Sequence, residues 1–91
     1  MDEATKERIL ETAEMTQDAL AMNRALLDSD FTEARFRAKL LHHQAALTGD
    51  APLVDATALV VRLLGRQGTT PALGCGAAML AVSTRLGERL G

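Results

Sequence analysis

Apolar and polar positions alternate along this chain with a period near 3.6 residues almost throughout, the mark of helices that turn one face inward. Ile9, Ala13, Thr16, Leu20, Asn23 and Leu27 recur at steps of four and three. They predict a first helix over 4–27, uninterrupted by Gly or Pro, with these side chains as its amphipathic stripe, Thr16 and Asn23 at the edge reaching water or else specifying register at a helix interface. The turn Asp28-Ser29-Asp30 leads into a second helix over 31–48. Asp30 and Glu33 have the spacing of a capping box, and carboxylates there also suit the positive end of the helix dipole. Gly49 supplies a left-handed cap, and Asp50 is placed to cap a third helix over 52–64 that tolerates Pro52 in its first turn. Asp55 and Arg62 are its only charges, so this helix is expected to be the most buried. Gly65-Arg66-Gln67-Gly68-Thr69 reads as a loop, and Thr70-Pro71 as the start of a last helix over 71–89. Leu73, Cys75, Ala78, Met79, Val82 and Leu86 form its inner face. The small residues Gly74 to Ala78 weaken its first turns; either close approach of a neighbouring backbone offsets this, or the turn is frayed or irregular. Four helices joined by short turns predict an all-α antiparallel four-helix bundle, one domain over 1–91.

The second helix has two apolar faces instead of one. Phe36, Leu40, His43 and Leu47 share one side; Phe31, Ala34, Ala38, Leu41 and Ala45 lie nearly opposite, with Arg35, Lys39 and His42 in the arc between. One face serves the core. The other needs a partner, and a homodimer or a docked protein is the simplest occupant.

Composition narrows the role further. With 91 residues, 47% hydrophobic, the chain has enough for one core and no deep internal cavity. Phe31 and Phe36 are its only aromatics, so Leu, Ala, Val and Met must fill the core, which favours helix on helix. The net charge of −2, with both signs interspersed and no Trp or Tyr, gives no field for phosphates and no stacking platform, so nucleic acid is not expected as a partner. No apolar run approaches the roughly 20 residues of a membrane span. The polar start Met1-Asp2-Glu3-Ala4-Thr5-Lys6 is unlike a signal peptide, and a lone Cys75 forms no internal disulfide. A cytoplasmic address is the expectation.

No complete catalytic set is visible, and neither enzyme activity nor a cofactor is expected. Adjacent histidines point about 100° apart on a helix, so His42, His43 and Cys75 make a poor metal set. Cys75 has no activating base beside it in sequence, and Glu11 and Glu14 read as solvated surface.

One stretch resembles a known family. Ala45-Ala46-Leu47-Thr48-Gly49-Asp50-Ala51, followed by Val54, Ala56 and Leu59, resembles the histidine phosphotransfer (HPt) signature His-x-Leu-Lys-Gly-x-Ala with its apolar tail. Asp28-Ser29-Asp30-Phe31 is similar to the acidic turn that enters the family's phosphotransfer helix. The resemblance implies a four-helix bundle that passes a phosphoryl group between signalling proteins on an exposed histidine, without a cofactor. Its partners would be a response-regulator receiver domain or a histidine kinase domain. Here Ala45 stands at the acceptor position and Thr48 at the lysine position, and the spacing from Phe31 leaves the register open. Alanine offers no nucleophile. The chain thus reads as a degenerate, non-catalytic docking module whose partner surface includes Arg35, Ala38, Lys39, Leu41, His42, Ala45 and Gly49. Two alternatives stand beside it: an active phosphotransfer protein using His42 or His43, the former beside Arg35 and Lys39 and the latter half-buried, and an unrelated small helical regulator.

Overall fold

The computed structural model describes residues 2–91, and among them it has four helices and no strand. These are α1 (Glu3–Leu27), α2 (Phe31–Thr48), α3 (Ala51–Leu64) and α4 (Cys75–Leu90). Each packs on the next and α1 packs on α4, so the four close a ring around one core. None of the described helices is long and apolar enough to cross a membrane.

Punctuation in the sequence sets most of the boundaries. The Asp2 side chain accepts from the Thr5 amide at 2.7 Å and opens α1. Asp30 Oδ1 accepts from the Glu33 amide at 3.2 Å and opens α2. The reciprocal half of the expected capping box is not made, because the Glu33 carboxylate takes the Arg37 guanidinium instead, at 2.7 Å. Gly49, at φ 73°, ends α2 in the left-handed region as expected, and Asp50 Oδ1 accepts from the Leu53 amide to open α3.

The core is made of small and flexible side chains. Ala34, Ala38, Leu41 and Ala45 of α2 are buried and face Met15, Ala19 and Met22 of α1, with Leu53, Val60, Leu64, Met79, Val82 and Leu86 completing the cluster. Alanines one turn apart bring neighbouring helices close. Methionines fill the remaining irregular gaps, and each fully buried Leu or Met contributes about 2–3 kcal/mol.

Several expectations are overturned. The inner stripe of α1 is Thr12, Met15, Ala19, Met22 and Ala25, whereas Leu20 is 57% and Leu27 84% exposed. The alternative stripe ran parallel to the true one, rotated around the same helix. Next, α4 begins at Cys75 and not at Pro71, because Gly74 at φ 91° is left-handed and no helix passes through it. The connection therefore spans residues 65–74, and Leu73 is fully exposed. A Cβ at Gly74 or Gly76 would meet nothing within 4 Å, so no backbone approaches closely there. Finally, α3 buries one face only, through Leu53, Thr57, Val60 and Leu64, and is no more buried than its neighbours.

Candidate functional site

The residues singled out in the sequence lie mostly on α2, and the structure divides them into three groups. Ala38, Leu41 and Ala45 face the core, at most 1% exposed. They are not a partner surface, because α1 and α3 already cover them. Arg35, expected on the polar arc, is buried: its guanidinium donates to the carbonyls of Leu64, Gly65 and Thr69, the last at 2.6 Å. It thus caps the C-terminus of α3 and holds the following loop, where the last carbonyls of a helix lack partners.

The histidines exchange the places expected of them. His42 is half-buried, with Nδ1 3.1 Å from Thr57 Oγ1. The Thr57 hydroxyl spends its single proton on the carbonyls of Leu53 and Val54. The contact with Thr57 holds the ring against α3. His43 is the solvent-exposed one. Lys39 is exposed one turn before it, and Gly49 is exposed at the helix end.

The outward face of α2 is thereby defined. Phe36 is 58% and Leu47 77% exposed, with Leu40 half-buried between them and His43 beside it. These four recur at steps of four, three and four, the spacing of a seam between packed helices. Arg37 flanks the seam and is held by Asp18 of α1 at 2.7 Å and by Glu33. The Arg37 guanidinium lies 5.7 Å from the centroid of the Phe36 ring, and Phe36, His43 and Leu47 stay exposed.

A second cluster escaped sequence reasoning. Asp50, read only as a cap, is buried and receives Arg85 on both carboxylate oxygens and Arg89 at 2.8 Å. Hydrogen bonds from Arg85, opposed by burial and helped by Arg89 and the Leu53 amide, hold its carboxyl down at about 2. Arg89 also donates to Thr12 Oγ1, so this carboxylate ties α1, α3 and α4 together. The recurrence of arginine at i and i+4 on α4 was its one sequence signal. Asp50 lies at the floor of an open cleft of roughly 690 Å³, with Glu7, Arg8, Glu11 and Leu47 on its walls. Its lining holds three carboxylates and three guanidinium groups, and Asp50, Arg85, Arg89 and Glu11 are paired among themselves.

The remaining candidates are dispersed. Cys75 is 4% exposed, and burial pushes its thiol up, the opposite of an activated nucleophile. Among the described residues no three His, Cys, Asp or Glu side chains come together as a metal site, His42, His43 and Cys75 included. No protein-family model, curated protein or solved structure matches the chain.

Proposed function

We propose that this chain is a non-catalytic docking module of the phosphotransfer type, an antiparallel four-helix bundle that self-associates through the outer face of α2 and engages a signalling domain without taking phosphate. The observation that carries the docking is the uncovered stripe Phe36, Leu40, His43 and Leu47. The antiparallel order is supported by cross-helix pairs that run in opposite directions. Thr12 meets Arg89 while Asn23 meets Ser83, and Arg35 meets Leu64 while His42 meets Thr57.

Burial also favours a shifted register for the family pattern. The Leu of His-x-Leu-Lys-Gly-x-Ala is a core residue of the family, yet Leu47 is exposed, and Ala51 already stands in α3. Leu41, fully buried, meets that requirement, with Ala45 at the place of the small Ala. The acceptor position then falls on exposed Lys39, the lysine position on His42 and the glycine position on His43. A lysine ammonium at pH 7 has no lone pair for phosphoryl attack, so the degenerate character is kept in this register too.

A second copy is the occupant the stripe itself favours. A two-fold axis between Leu40 and His43 sets Phe36 on the second copy's Leu47 and Leu40 on its His43. Lys39 then faces Ala46, so no like charges oppose. Light scattering at rising concentration in high salt is expected to give a dimer for the native chain and a monomer for Leu40→Glu.

Exposure of His43, one turn from Lys39, favours one competing role, that of an active acceptor. Incubation with a phosphorylated receiver domain separates the two. No acid-labile label on the chain is the expected result. Label that disappears on His43→Gln establishes the competing role instead.

A further inference from the structure

The first turns of α1 stand apart from the core. Residues 2–11 are all exposed, and the first buried side chain of α1 is Thr12. Its outer side carries Glu3, Glu7, Leu10 and Glu14, which fall within about 60° of one another on a helical wheel at 100° per residue. All four are exposed, and Leu10 is 64% so. Lys6 lies at the stripe's margin, 3.7 Å from Glu3, and Glu7 and Glu14 have no cation of their own among the described residues.

Across the molecule, at the other end of α2, is a feature of opposite character. A groove of about 260 Å³ between the first half of α2 and the loop after α3 is lined by Thr32, Phe36, Lys39, Arg66 and Gln67, with Arg35 beneath. No carboxylate lines it. Lys39 and Arg66 are exposed and make no ion pair among the described residues, while Arg35 spends its guanidinium on backbone carbonyls. One edge of Phe36 supplies an apolar wall.

We infer that this groove receives the acidic stripe of α1 from a second copy, Glu7 and Glu14 reaching Lys39 and Arg66 while Leu10 packs on Phe36. The two surfaces differ and lie at opposite ends of α2: Glu7 and Glu11 share the Asp50 cleft with Leu47 and Thr48, whereas the groove begins at Thr32. The contact is therefore heterologous, and repeated from copy to copy it builds rings or open chains of more than two copies. It goes beyond the face-to-face dimer, with which it shares Phe36 and Lys39 and so competes, and does not depend on it. The charges are exposed, so the contact weakens as salt rises.

Sedimentation of the full chain at low and high salt tests this. At low salt the native chain is expected to form species larger than a dimer, and high salt to dissolve them. Lys39→Glu with Arg66→Glu, and separately Glu7→Lys with Glu14→Lys, should each raise the dissociation constant of these species about tenfold. Mixing the two reversed variants should restore association. Leu40→Glu should remove only the face-to-face dimer and leave the salt-sensitive species in place. Low-salt species no larger than a dimer, or reversed variants that assemble like the native chain, overturn the inference and leave the α2 dimer to stand or fall by Leu40→Glu. A mixture that fails to reassociate overturns it as well.

Discussion

At the scale of single residues, Asp50 shows how one side chain carries two duties that sequence separates. Its cap of α3 was legible from its place after Gly49, because an N-cap is a local event with a local signal. Its bonds to Arg85 and Arg89 reach across 35 and 39 positions, and no short-range pattern announces them. The carboxyl is held at about 2, against 3.8 when unpaired. As pH falls the unfolded chain therefore takes the proton first. The stability this group contributes is fully present above about pH 4 and is lost as pH falls from there toward 2. Asp50→Asn should cost about 2 kcal/mol at neutral pH, since it strips the cap of its charge and leaves Arg89 half unpaired. Urea midpoints measured at pH 6 and pH 2.5 check this: the gap between variant and native chain should narrow at the acid end. An undiminished gap would mean that Asp50 acts through shape alone. The histidines show the same limit in a smaller way. Which of His42 and His43 faces solvent turns on where α3 lies, and periodicity on α2 alone, with two apolar faces, gave no way to choose between them.

At the scale of elements, helix existence was legible and helix rotation was not. Turn chemistry at Asp28-Ser29-Asp30 and Gly49-Asp50 marked the ends of α1, α2 and α3 to within about one residue. The inner face of α1 was misread because Ile9, Leu20 and Leu27 outrank Ala19 and Ala25 in hydrophobicity, although packing selects the smaller side chains where helices approach closely. In α4 the start was misplaced for a chemical reason: Thr70-Pro71 has the form of a helix start, but Gly74 in the left-handed region interrupts any helix begun there. Glycine thus has different value along this element. Gly76 and Gly87 sit inside α4 with open space where a Cβ would be, so Gly76→Ala and Gly87→Ala should each raise stability by about 1 kcal/mol in thermal or urea unfolding. Gly74→Ala should lower it, since its φ of 91° strains any side chain. The connection before α4 depends in turn on Arg35. Arg35→Ala leaves the carbonyls of Leu64, Gly65 and Thr69 without their donor and should cost about 2–4 kcal/mol. Arg35→Lys should recover little of it, because a point ammonium does not reproduce the fork. Hydrogen exchange at the Ala72 amide, bonded to the Leu63 carbonyl at 2.8 Å, should quicken more than exchange in the middle of α1.

For the whole molecule, the question is what a bundle this thin does with the apolar surface it leaves outside. Its extents of 45 × 22 × 18 Å give four helices one shared core and no second layer, so every outward stripe meets either water or another molecule. The two-faced character of α2 was legible in sequence, yet the assignment of faces was not: the alanine-rich side, small enough for close packing, became the core, and the bulkier Phe36–Leu47 side was left outside. This reversal makes the self-association testable without disturbing the fold. Leu47 at 77% exposure and Phe36 at 58% contribute little to the core they do not touch, so Leu47→Glu or Phe36→Glu should shift the melting temperature of the isolated monomer by only a degree or two. Each should nevertheless weaken the dimer at least tenfold, because a glutamate would be buried opposite an apolar side chain without a partner. Leu41→Glu is the control with the opposite profile, since its side chain is fully buried in the core: it should prevent folding altogether and so lose secondary structure along with mass. Circular dichroism and light scattering on the same samples separate the cases. If Leu47→Glu leaves the mass of the native species unchanged, the outer face of α2 is not where two copies meet, and the solvent-facing stripe must be assigned to a different protein.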